Sequence, residues 1–132
     1  MSLTTHLPPD AETIETIARD AWNALPAQFR AHLGSVLFRV EDFADDTILD
    51  ELGIDNPYEL TGLYTGRPVG QKSVEESGAL PDMIHLYRVP ILCEWVESGE
   101  ELGHLVRHVL IHEVGHHFGL SDDDMHAIED AA

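Results

Sequence analysis

From residue 104 to residue 116 a histidine stands at every fourth position: His104, His108, His112 and His116. A helix turns once in 3.6 residues, so residues four apart lie on one face, one turn apart and about 40° round from each other. Any of the three i, i+4 pairs could hold a transition metal between two imidazoles. The pair 112/116 reads His112-Glu113-Val114-Gly115-His116, the H-E-x-x-H pattern. There a carboxylate stands beside two metal ligands and can take a proton from water. In a chain with nine histidines among 132 residues, this pattern arises by chance with a probability of about 6%.

Gly119 lies three residues after His116 and Asp122 six after it. Requiring both lowers the chance expectation to about 4 in 10,000. A glycine at 119 can take the left-handed conformation that ends a helix, after which Asp122 can turn back as a third, oxygen ligand. Three protein ligands and one open position are the arrangement of a catalytic zinc rather than a structural one. The other registers fail the same requirements. Val109 follows His108 and Phe118 lies six past His112, while Leu105 follows His104 and Val114 lies six past His108. Asp122, Asp123 and Asp124 would also suit the first turn of a helix capped by Ser121. Asp123 and His126 therefore stand as alternatives for the third ligand. His108 is a candidate for support behind the ligands, and His104 and His117 are expected to be helix surface or structural.

The stretch "HEVGHHFGLSDDDMHAIE" resembles the small bacterial zincin-like metallopeptidases, with their extended H-E-x-x-H-x-x-G-x-x-D pattern. "ALPAQFRAHLGSVLFRVED", "GLYTGRPV" and "LPDMIHLYRVPIL" also match, so the resemblance spans roughly residues 20 to 130. It implies a minimal zincin-like fold, with His112, His116 and Asp122 as zinc ligands and Glu113 as catalytic base. The spacing is similar to that of the metzincins, which often carry His where this chain has Asp122. No Met-turn is evident, although Met125 is a candidate for packing near the metal. The resemblance does not supply a substrate.

The elements that must position these residues follow from periodicity and turn chemistry. "PPDAETIETIARDAWNAL" repeats Ile14, Ile17, Ala18, Ala21, Trp22 and Leu25 at helical spacing behind Asp10, and Pro26 stops it. "AQFRAHL" reads as a further short helical piece. "SVLFRVED" alternates as a strand, "DTILDELG" suggests a helical turn, and "ELTGLYTG" a short strand running into a Gly-Arg-Pro turn. "VGQKSVEESGALPD" is a polar connector. "MIHLYRV" is predicted as a strand with Ile84, Leu86 and Arg88 on one face, and "ILCEWVE" is ambiguous. Ser98 and Glu101 form a capping-box pattern for a helix ending at Gly119, with a last short helix carrying Met125 and Ile128. Strands and helices segregate, which predicts an α+β fold. A small mixed sheet is expected to pack against the histidine helix and the N-terminal helix, in one domain over 1–132 with residues 1–9 as a tail.

Composition narrows the partners. A formal charge of −18 repels nucleic acid and anionic lipid, so neither is an expected partner. The single cysteine, Cys93, excludes an internal disulfide and is expected in the core. The N-terminus has no secretory pattern and no apolar run is long enough to span a bilayer, which predicts a cytoplasmic location. The expected function is zinc-dependent hydrolysis of a peptide or protein substrate. The alternatives are a non-catalytic metal-binding or interaction module and, third, a metal-dependent endoribonuclease. Tyr64, His85 and Tyr87 are candidates for stabilising a developing oxyanion, and "MIHLYRV" or "ELTGLYTG" for pairing with an extended peptide.

Overall fold

Asp10 accepts the backbone N–H of Thr13 at 2.8 Å and so caps helix α1, Ala11–Ala24. Residues Ile14, Ala18 and Ala21, spaced at one turn, form its buried stripe. The computed structural model describes residues 7–27, 36–66 and 82–131, except the side chains of His117, Phe118, Asp122 and Ala131. The "AQFRAHL" helical piece beyond Ala27, the Gly-Arg-Pro turn and the polar connector lie outside the described residues. Of the expected tail, residues 7–9 are described, and the carbonyl of Pro9 accepts from Arg88 Nε at 2.8 Å.

Strand β1 is Val36–Glu41, β2 is Gly62–Thr65 and β3 is Asp82–Tyr87. Among the described residues they form one sheet in the order β1-β3-β2, with β1 parallel and β2 antiparallel to β3. Between β1 and β2 lies α2, Asp46–Leu52, capped by Asp45 and ended by left-handed Gly53. It is followed by a 3₁₀ turn, Pro57–Glu59. Three helices follow the sheet: α3, Arg88–Ser98; α4, Leu102–Phe118; and α5, Asp122–Ala131. The fold is α+β, with a mixed sheet against the N-terminal and histidine-bearing helices. No helix among the described residues is long and apolar enough to cross a membrane.

Two predicted boundaries move. Arg88 begins α3 instead of extending β3, and its side chain reaches Pro9 and Asp42. Ser98 ends α3 rather than capping the histidine helix, because Gly99 adopts φ 72° and terminates the chain's turn there. Helix α4 then starts at Leu102 with no side-chain cap. Cys93 is only half-buried, since α3 meets the core through Pro90 and Ile91.

One face of the sheet, with Phe38, Ile84 and Leu86, packs on Ile14, Ala18 and Ala21 of α1 and on Leu105, Val106, Val109, Leu110 and Val114 of α4. The opposite face carries Tyr87, which packs with Ala44 and Leu49. A third cluster, Leu25, Ile111 and Met125, joins α5 to the far side of α4. Helix α4 is thus held between the sheet and α5, and among its described residues His104 and His116 are exposed.

Candidate metal centre and active site

The histidine ladder runs along the side of α4 that faces away from the sheet. His104 and His116 are exposed at its ends, and His108 and His112 are half-buried between them. The helix ends where the sequence predicts. Gly119 sits at φ 71° and donates to the carbonyl of His116 at 3.1 Å, while the N–H of Leu120 reaches the carbonyl of Gly115 at 2.8 Å. These two bonds are the Schellman arrangement, which reverses the chain at Gly119. Ser121 then caps α5. Its hydroxyl accepts the N–H of Asp124 at 3.1 Å, and the Asp124 carboxylate accepts the N–H of Ser121 at 3.4 Å.

Asp124 is therefore committed to the cap, and Asp123 and His126 are exposed. Asp122 is the first residue of α5, and its side chain lies outside the described residues. The rings of His112 and His116 are 6.2 Å apart between centroids. Two imidazoles bound to one tetrahedral ion through bonds of about 2.1 Å have centroids roughly 5.2 Å apart, so this pair must close by about 1 Å to share an ion.

Glu113 points the other way round the helix, toward β2. Tyr87 N–H donates to the Thr61 carbonyl at 2.9 Å, and alternation along an antiparallel pair then turns the peptide groups of Gly62 and Tyr64 away from β3. The Glu113 carboxylate accepts the outward N–H of Tyr64. Gly62 permits this approach. A Cβ there would come within 2.8 Å of Val109 Cγ1 and 3.4 Å of Glu113 Cγ. Burial between helix and strand pushes the Glu113 carboxyl up to about 7, against a smaller opposing effect of the Tyr64 N–H. A carboxylate tuned to neutral pH is suited to moving protons in both directions.

Behind the site, Met125 is buried against Gly115, and a Cβ at 115 would collide with its Sδ and Cγ. The candidate methionine thus packs on the helix between the two histidines of the H-E-x-x-H pair, from α5 and not from a separate turn.

A cluster not anticipated from the sequence joins α4 to α5. Donor atoms of His108, His112 and Glu129 all lie within 4.8 Å of one another. The Glu129 side chain is 17% exposed, with Oε1 2.7 Å from His108 Nδ1 and 3.4 Å from His112 Nε2. The available sequence signal was the spacing of Met125, Ile128 and Glu129, which places all three on one face of α5.

The three oxyanion candidates separate by sheet face. His85 lies on the face away from α4, 3.4 Å from Glu41 and 3.3 Å from Thr65 Oγ1. Tyr87 shares that face and is fully buried, its phenol pushed up to about 12 by burial and then by Glu41. Only Tyr64 shares a face with Gly62, on the α4 side. Its hydroxyl donates to Asp82 Oδ2 at 2.6 Å, and burial together with Asp82 raises the phenol well above its ordinary value. Asp82, only 5% exposed, is a second residue the sequence did not single out. The strand candidates separate too. Among the described residues β3 is paired on both sides, whereas β2 is paired on one side only and lies beside Glu113.

A family model described as zincin-like metallopeptidase matches residues 33–132. The chain belongs to the zincin-like metallopeptidase family. No curated protein matches it. Membership implies a divalent metal and peptidase chemistry in general. The match covers β1, β2, β3 and the whole α4–α5 unit, which together carry the histidine ladder, Glu113 and the edge strand.

Proposed function

We propose that this zincin-like protein is a zinc-dependent peptide hydrolase with His112, His116 and Asp122 as metal ligands and Glu113 as general base. The observation that carries the reading is Glu113. It is adjacent in sequence to His112 and in contact with the outer edge of β2, and in the metal-free chain burial raises its carboxyl to about 7. Two imidazoles and one carboxylate are a donor set suited to zinc. A divalent ion held there supplies Lewis acidity toward a peptide carbonyl and makes water more acidic.

The chain's own residues do the rest. Glu113 takes a proton from the attacking water as its oxygen bonds to the carbonyl carbon. As the C–N bond breaks, the same carboxyl delivers that proton to the leaving amine. The outward peptide groups of Gly62 and Tyr64 can pair with an extended substrate and align it beside Glu113. The acidity of the chain favours basic peptides as substrates.

Glu113→Gln tests the reading, with zinc content measured beside hydrolysis of a diverse peptide library. The variant is expected to keep its zinc and lose hydrolysis by about 10²–10⁴-fold, the usual contribution of a general base. A zinc-loaded wild type that cleaves no member of the library would overturn it.

A further inference from the structure

We propose that His108, His112 and Glu129 form a second divalent-metal site, exclusive of the peptidase set because both require the same imidazole of His112. The existence of this site stands on its own geometry. The exclusivity rests on the peptidase reading above.

Glu129 Oε1 is buried and lies 2.7 Å from His108 Nδ1 and 3.4 Å from His112 Nε2, yet neither approach is aligned as a hydrogen bond. A ring nitrogen's lone pair or N–H lies in the ring plane along the outward bisector. Close contact without alignment means that these approaches are not simple hydrogen bonds, while one donor atom from each of the three side chains lies within 4.8 Å of the others. A buried carboxylate oxygen in that condition calls for a cation. The spacing agrees. Ligands bound at about 2.0–2.2 Å in a tetrahedral shell stand roughly 3.3–3.6 Å apart. The 3.4 Å separation already fits, and the 2.7 Å one must widen by under ~1 Å, well within one glutamate rotation.

The site is also held in place. Arg107 Nη2 donates to the carbonyls of Ile128 at 3.2 Å and Glu129 at 2.9 Å, pinning the last turn of α5 to α4. The His108 and His112 rings are 4.1 Å apart between centroids, so they part by about 1 Å to take a common tetrahedral ion. Two nitrogen donors and one carboxylate suit zinc or cobalt(II) over magnesium or calcium. A neutral imidazole has one lone pair for a metal and one N–H. An ion on His108 and Glu129 therefore withdraws His112 from His116 and Asp122, leaving Glu113 without a metal partner. The second set is a resting position for the ion, one helical turn from the catalytic one.

Cobalt(II) added to the chelator-stripped full chain is the probe, read by visible absorption and by bound metal per chain. His116 is exposed, so His116→Ala leaves the fold intact while dismantling the peptidase set, and adding Asp122→Asn completes this. These variants are expected to bind one cobalt, with loss of the absorption when Glu129→Gln or His108→Ala is added. Absence of binding in both His116 variants, or binding unaffected by Glu129→Gln and His108→Ala, overturns the second site. Wild type is expected to hold one ion, and two ions per chain overturn the exclusivity. The converse variant, His108→Ala with Glu129→Gln, reports on the peptidase set alone. If it binds no cobalt while His116→Ala does, the peptidase ligands are wrong and the second site stands.

Discussion

The carboxylate of Glu113 accepts the backbone N–H of Tyr64, joining the chain's candidate base to the edge strand of its sheet. Among the described residues, the contact places the candidate base of α4 at a strand edge next to the histidine ladder. It also buries the carboxyl enough to bring its titration to neutrality.

That burial sets a pH dependence for the metal-free protein. The folded Glu113 carboxyl titrates at about 7, above its ordinary 4.5, so between these values the folded chain holds a proton that the unfolded chain has released. The stability contributed by the neutral form is complete below about 4.5 and is lost as pH rises through 7. Glu113→Gln removes the titration. With chelator present, the variant should match wild type near pH 4 and exceed it near pH 8 by on the order of 1–3 kcal/mol. Thermal unfolding at both pH values checks this, and an equal difference at the two values would contradict it.

Gly115 and Met125 form the contact that seats α5 under α4. Gly115→Ala inserts a methyl against a buried thioether and should cost about 1–3 kcal/mol. Because the collision is with Met125 alone, adding Met125→Ala should cost less than the sum of the two single changes. A double-mutant cycle from urea unfolding measures the difference.

Tyr64 and Asp82 hold β2 to β3 through a 2.6 Å hydrogen bond from the phenol. Tyr64→Phe removes the donor from a buried carboxylate and should cost about 1–3 kcal/mol. Asp82→Asn makes the acceptor neutral, so the double variant should recover part of that loss. Urea midpoints at unchanged m-value are the readout.

Arg107→Met keeps most of the side-chain packing but removes the donors that satisfy the last carbonyls of α5. Amide exchange in residues 125–131 should accelerate by about tenfold, the loss of one net hydrogen bond, while α1 and the sheet keep their protection. Uniform acceleration across the chain would show that Arg107 acts globally instead.

The sequence by itself determined what acts within a turn or two of chain. Asp10, Asp45 and Ser121 cap their helices, Gly53 and Gly119 end theirs, and the alternation of "SVLFRVED" and "MIHLYRV" makes strands. It also put Glu113 beside His112 and one turn before His116, because helical spacing alone dictates that. Where a local signal competed with another, reading failed. Ser98 matches a capping box, but left-handed Gly99 makes it the end of the preceding helix.

Only the tertiary structure decided which faces meet. Periodicity puts Met125, Ile128 and Glu129 on one side of α5, but not on which residues of α4 that side rests. The packing rotation brings Glu129 to His108 and His112. Sheet order, a property of three strands together, left β2 at the edge and β3 in the middle. It also placed His85 and Tyr87 on the face opposite the one that carries Gly62 and Tyr64. The charge state of Glu113 belongs to the same level, because desolvation depends on what covers a carboxylate, and its cover is a strand some fifty residues away in the chain.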